Sequence, residues 1–121
     1  PMQYDTERAK KIGEDIVKKY LRSINYILIK KNYKCKAGRM DYIAIEKPKE
    51  KIIFISVIIR TELYERYRDD LSKSRQIKIA KNVIDTYITR KGINKEDTRL
   101  DRIEVFIYRG RYKLNHIKKI E

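Results

Sequence analysis

Cysteine, histidine and tryptophan are nearly absent from this chain. Cys35 and His116 are the only residues of their kinds, and there is no tryptophan. A single cysteine cannot close an intramolecular disulfide, and no zinc-ligand spacing exists. That pattern suits a reducing compartment, so a cytoplasmic protein is expected. Two prolines and four glycines in 121 residues mark no linker, repeat or low-complexity segment, so a single domain over 1–121 is expected. No apolar run reaches transmembrane length. Pro1-Met2-Gln3-Tyr4-Asp5 has no apolar h-region, so neither a signal peptide nor a membrane partner is expected. Acids are scarce as well, 17 against 31 lysines and arginines.

The resulting net charge of +14 and pI near 9.9 attract polyanions. DNA or RNA is therefore the first partner to expect. The same lysine- and isoleucine-rich composition accompanies warm habitats, so charge alone does not carry that reading. Apolar residues make up 41% of the chain, enough for a modest core.

Asp5 or Thr6 is placed to cap a first helix running to about Ile24. Ala9, Ile12, Ile16, Tyr20 and Ile24 recur at helical spacing as its buried stripe, with Glu14 on the Val17/Leu21 edge, toward a cleft. Tyr26 to Ile29 reads as a strand, Lys30 to Lys36 as a basic turn, and Arg39 to Glu46 as a second strand. Lys47 to Glu50 is a turn. Lys51 to Arg60 is a third strand, apolar enough to be buried on both faces. Thr61 to Asp70 reads as a loop or short helical turn. A second helix runs from about Ser72 to Arg90, with Ile77, Ala80, Ile84, Tyr87 and Ile88 on one face, and Gly92 ends it. Asn94 to Thr98 is a polar loop. Arg102 to Tyr108 alternates as a half-buried strand, and Arg109-Gly110-Arg111 turns it into a last strand, Tyr112 to Ile117.

Several pieces of this pattern carry motifs. Gly13-Glu14 lies in the first helix. Asn25-Tyr26-Ile27-Leu28-Ile29-Lys30-Lys31-Asn32-Tyr33 leads into Gly38-Arg39-Met40-Asp41-Tyr42-Ile43-Ala44, and Phe54-Ile55-Ser56-Val57-Ile58-Ile59-Arg60 follows. Arg75-Gln76, Leu100-Asp101-Arg102-Ile103 and His116-Ile117 complete the set. In this order and spacing the chain resembles the YraN-like family over Ile12 to Ile117. The family has the restriction-endonuclease-like fold with PD-(D/E)XK-type motifs, and its layout is similar to that of archaeal Holliday-junction resolvases. The elements read above follow the order α-β-β-β-α-β-β, and the resemblance implies an α/β fold, a mixed central sheet flanked by helices. The family patterns have glutamate where this chain has Arg39 and Ser56, and lysine where it has Ile58.

In such nucleases carboxylates from adjacent strands hold Mg²⁺ or Mn²⁺ near the scissile phosphate. A lysine two residues past the second acid shares its face, because strand side chains alternate. The motif positions carried over are Glu14, Asp41, Ser56, Ile58 and Gln76. Only Asp41 and Glu14 remain to hold an ion, weakly and through waters, so no tightly bound cofactor is expected. Arg60 or Arg75 would have to supply the missing cation, and arginine is a poor base. Lys34, Lys36, Arg39, Arg60, Lys73, Arg75 and Lys78 are the expected nucleic-acid contacts, with Lys73, Arg75, Lys78 and the Lys30–Lys36 segment flanking the cleft.

Each position also has a plainer reading. Asp41 is then a hydrogen-bonded structural acid, Glu14 a helix-surface charge, Ser56 a small core filler and Gln76 a solvated side chain. His116 reads as a packing or surface residue rather than a base. Tyr33, Tyr64, Tyr67 and Tyr112 stand among cations and can stack on bases, although a tyrosine-rich chain places some there by chance. The expected function is a nucleic-acid-binding protein with a degenerate, catalytically impaired nuclease site. The rivals are an active Mg²⁺- or Mn²⁺-dependent endonuclease whose lost carboxylate has migrated, to Glu62 or Glu104, and a non-catalytic interaction subunit. A homodimer is an open form of assembly.

Overall fold

A computed structural model describes residues 2–48, 50–61 and 73–121, with side chains from Glu7 onward. Helix α1 spans Met2–Ser23. Strands β1 (Tyr26–Cys35), β2 (Gly38–Glu46) and β3 (Lys51–Arg60) follow it. Helix α2 covers Lys73–Lys91. A short 3-10 turn at Lys95–Asp97 leads into β4 (Thr98–Tyr108) and β5 (Arg111–Ile117). The five strands form one sheet in the order β1-β2-β3-β4-β5. Only β3 and β4 run parallel; the other neighbours are antiparallel. The parallel pair needs a crossover to return the chain to the same end, and α2 lies on it. The result is the mixed α/β layout expected, α-β-β-β-α-β-β.

The central strand sorts its side chains by alternation. Ile53, Ile55, Val57 and Ile59 join Val17 and Leu21 of α1 in one core. Ile52 and Phe54 join Val83, Ile84, Tyr87 and Ile88 of α2 in the other. β3 is thus packed between both helices, which is why its sequence is almost uninterruptedly apolar.

Four local expectations are corrected. First, α1 starts at Met2, not at a cap on Asp5 or Thr6. Second, its buried line is Ala9, Gly13, Val17 and Leu21, while Ile12 is 43% exposed. The helix is turned by about one residue because Gly13 lets β3 come close. A Cβ there would lie 2.6 Å from Ile59 Cδ1 and 2.8 Å from its Cγ1, so any larger residue forces Ile59 to shift. Third, Lys30 to Cys35 continues β1 instead of turning. A register shift between Leu28 and Lys30 and left-handed backbone at Asn32 (φ 51°) interrupt the strand, but beyond them Tyr33 and Cys35 flank Lys34 in alternation and pack toward α2. Fourth, β4 begins at Thr98 rather than Arg102, and the loop before it contains the 3-10 turn.

Other signals match. Gly92 takes φ 70°, and Ile93 N–H reaches Ile88 O at 3.0 Å, the closing bond of a Schellman motif. Asn25 has φ 66°; asparagine is the side chain that best shares this region with glycine. The expectations for Glu62 to Asp70, with Tyr64 and Tyr67, and for Ser72 lie outside the described residues.

Candidate functional site

Asp41 lies where β2 and β3 part. Their ladder runs from Glu46↔Lys51 to Tyr42↔Ile55 and stops there. One residue further, the Asp41 carboxylate takes over: Oδ2 accepts the Val57 N–H at 2.7 Å. Oδ1 accepts from Arg39 Nη2 at 2.6 Å. Side-chain alternation slips here as well. Met40 and Ile43 pack toward α2, whereas Tyr42 and Ala44 pack toward α1. Asp41 is 19% exposed, at the mouth of the gap between the strands.

Burial raises the Asp41 pKa, and the negative charge of Glu14 adds to the rise. The Val57 N–H bond and the positive charges of Arg39 and Lys10 oppose it without cancelling it. Burial and the carboxylates of Glu14 and Asp41 also push the neighbouring Tyr42 hydroxyl up to about 12. So Glu14, reaching from α1, shares a field with Asp41. Lys10, one turn before Glu14, was not singled out by sequence, since an exposed helical lysine carries no signal of its own.

The sign of that shift makes a test. A folded-state pKa above the unfolded one means that stability is lost as pH rises through the interval between them. At neutral pH the ionised Asp41 therefore costs stability. Asp41→Asn keeps an oxygen acceptor for Val57 N–H and removes the charge, while the lost pair to half-exposed Arg39 is worth little. The variant is expected to melt at or above the wild-type temperature at pH 7, with the difference vanishing near pH 3. A clear drop in melting temperature at pH 7 would make Asp41 a structural acid.

Ser56 and Ile58 belong to the alternating set of β3 that faces α2, opposite to Val57. Ser56 lines a shallow hollow with Gln76, Ile77 and Ala80 of α2 and with Leu100 to Arg102 of β4. Gln76 thus stands over Ser56, while Ile58 pairs with Glu104 across the parallel ladder. Glu104 lies 3.7 Å from Arg102. Among the described residues no three of His, Cys, Asp and Glu gather as a metal site. Each oxygen of Asp41 already accepts one hydrogen bond. Glu62 lies outside the described residues.

The expected cation positions divide into two groups. Lys34 and Lys36 lie on or just after β1, beside Arg39 of β2 (Lys34↔Arg39), and all three are exposed. Lys30 and Lys31 are exposed on the same edge strand. Lys73, Arg75 and Lys78 are exposed on the first turns of α2, on the Ser56 side of the sheet. Arg60 ends β3.

A second polar cluster was missed by sequence reasoning. Asp101 is fully buried. Its carboxylate accepts Arg99 Nε at 2.8 Å and Nη2 at 2.9 Å, and the Lys119 N–H at 3.1 Å. His116 Nε2 lies 2.8 Å away. Arg99 extends to Glu46 (3.1 Å) and the Tyr26 hydroxyl (2.6 Å), and Tyr26 donates to Glu46 at 3.1 Å. Tyr20 of α1 meets His116 Nδ1 at 2.7 Å. Burial alone would raise the Asp101 pKa, but His116, Arg99 and the Lys119 N–H together bring it down to about 2. Ionised Asp101 can only accept, so Nε2 carries the proton; a neutral ring then accepts the Tyr20 hydroxyl at Nδ1. The network ties α1, β1, β2, β4, β5 and the C-terminal segment together. The His116 side chain is buried here, with hydrogen bonds on both ring nitrogens.

Among the described residues no helix is long and apolar enough to cross a membrane. The model of the uncharacterised protein family UPF0102 matches residues 13–105. A UPF0102 protein of Clostridium botulinum strain Kyoto is 36% identical over 108 residues, 88% of this chain and 85% of that protein. One of Caldanaerobacter subterraneus is 33% identical over 110 residues, 88% of each chain. One of Clostridium kluyveri is 36% identical over 95 residues, 78% of this chain and 75% of its own. The chain therefore belongs to the UPF0102 family, the YraN-like family that its motifs resemble.

Proposed function

We propose that this is a cytoplasmic nucleic-acid-binding protein built on a nuclease-like sheet, with a cleavage site that has lost its working parts. The observation that carries the binding reading is the setting of Asp41. Lys10, Lys30, Lys31, Lys34, Lys36 and Arg39 are all exposed on the elements around it, and the whole chain carries +14. A phosphate backbone is the polyanion best matched to such a surface. The loss of activity rests on Ser56 and Ile58, which supply neither the acid nor the lysine of the family pattern.

Binding is then mostly electrostatic. Log K should fall linearly with log salt, by about 0.9 per phosphate neutralised on duplex DNA. Fluorescence anisotropy with duplex, branched and single-stranded DNA and with RNA measures this. No binding to any of them at low salt would end the proposal. Charge reversal at Arg75 and Lys78 should weaken binding more than reversal at Lys118 and Lys119; equal losses would mean a diffuse basic surface.

A second reading, an active endonuclease, draws on Lys10, a cation beside both Asp41 and Glu14. Mn²⁺-dependent cleavage by the wild-type chain, abolished by Asp41→Ala, would replace the first reading with this one.

A further inference from the structure

The far end of the sheet carries an aromatic and basic surface that the Asp41 site does not use. Phe106 and Tyr108 of β4 are 37% and 39% exposed. Two residues apart on one strand, they point to the same face. Their rings lie nearly parallel, 13° between planes and 6.2 Å between centroids. The Arg109 guanidinium lies 5.3 Å from the Tyr108 ring centroid. Across the hairpin Phe106 pairs with Lys113 and Tyr108 with Arg111, and on the other side Phe106 pairs with Arg60. Directly paired residues share a face, so two aromatic rings stand in a frame of cations. From Val105 to Ile120 the chain has five lysines and arginines and no acid.

The turn supplies a second, independent observation. Arg109 and Gly110 both have positive φ, 49° and 76°, as a two-residue type I′ turn requires. Asparagine is the favoured first residue of such a turn, and a left-handed arginine costs backbone energy. Here that position holds a side chain laid against Tyr108.

We propose that the β4–β5 hairpin is a stacking platform for single-stranded nucleic acid: bases lie on Phe106 and Tyr108, and phosphates on Arg60, Arg109, Arg111 and Lys113. This deepens the nucleic-acid reading and rests on it. The platform continues the sheet face that carries Ser56 and Ile58, because Ile58↔Glu104 and Arg60↔Phe106 are successive same-face pairs of the β3–β4 ladder. An unpaired strand running along β4 passes from the platform to the motif positions. The substrate class is therefore nucleic acid with an unpaired, single-stranded segment. Tyr112 pairs with Ile107, on the α1 side, and lies outside the platform.

The test compares a fluorescein-labelled oligo-dT with a duplex of equal length, by anisotropy on the full chain. Phe106→Ala with Tyr108→Ala should weaken oligo-dT binding by at least about 30-fold, since each stacked base lost costs about 5-fold or more. Duplex affinity should change by less than about threefold, because rings that contact unpaired bases give little to a phosphate-driven complex. Arg109→Asn should keep or raise the melting temperature, as the turn prefers asparagine, yet weaken oligo-dT binding. Tyr112→Ala should leave both affinities unchanged. Photocrosslinking of a 5-iodouracil oligonucleotide should mark Phe106 or Tyr108. Equal loss on both probes, no loss on oligo-dT, or crosslinks confined to other elements overturns the platform. Wild-type binding to duplex but not to oligo-dT overturns the platform and leaves the nucleic-acid reading standing. Binding to neither removes both.

Discussion

Replacing Asp101 by alanine should lower the melting temperature by roughly 10–20 °C, the equivalent of about 3–5 kcal/mol for removing one partner of a buried ion pair. Asp101 has no exposed surface, and Arg99, His116 and Lys119 N–H all converge on it. Without it Arg99 keeps Glu46 and Tyr26 but loses its bidentate partner, and the chain end loses its anchor. The pH dependence has the opposite sign to that of Asp41. The Asp101 pKa is held down at about 2, so its stabilisation is complete above the unfolded value and is lost as pH falls through the folded one. Wild type should therefore lose stability steeply below pH 4, and Asp101→Ala should lose much less there. Thermal melts at pH 7 and pH 3 measure both effects. A loss under about 3 °C at pH 7 would mean that the network relaxes around the gap.

Ser56→Glu combined with Ile58→Lys should confer Mn²⁺-dependent nicking of plasmid DNA that wild type and either single variant lack. The two positions flank Val57, whose N–H is bonded to Asp41. The pair therefore places an acid and a cation one residue either side of the retained carboxylate's contact. Groups of an active site act as a unit, so restoring one alone recovers little, and the pair is worth orders of magnitude in rate. The cost is stability. Ile58 is half-buried, and a lysine there is desolvated unless the introduced glutamate or Glu104 pairs with it. Melting curves separate a folded but inactive double variant from an unfolded one. A folded double variant that neither binds Mn²⁺ nor nicks would show that Asp41 no longer sits in a restorable site. Nicking by the wild type, lost in Asp41→Ala, would mean that the catalytic groups lie elsewhere than Ser56 and Ile58.

Much of the architecture was legible in the residues because it depends on local patterning. The unbroken apolar run of β3 announces a strand covered on both faces, and the helical spacing of Ile84, Tyr87 and Ile88 announces the packed side of α2. Gly92, and the Arg109-Gly110 turn, follow from backbone conformations that few residues adopt. Asp41 stood out only through motif order, since one acid in an apolar strand has no distinctive local chemistry.

What depends on distance in space was not legible. The orientation of α1 is set by the clearance between Gly13 and Ile59, which are far apart in sequence, so hydrophobic spacing alone misplaced Ile12. In the strand Lys30 to Cys35 only Tyr33 and Cys35 alternate inward, toward α2; its lysine-rich first half is held by the ladder with β2, a tertiary bond set that overrides propensity. Tyr20, Tyr26, Glu46, Arg99, Asp101 and His116 look like unrelated polar residues along the chain. Burial makes them one network, because a desolvated charge must find partners wherever the fold brings them. The same holds for the hairpin platform: the sequence determines that Phe106, Tyr108, Arg111 and Lys113 alternate, but only strand pairing decides that they share a face, with Arg60 beside them and Tyr112 turned away.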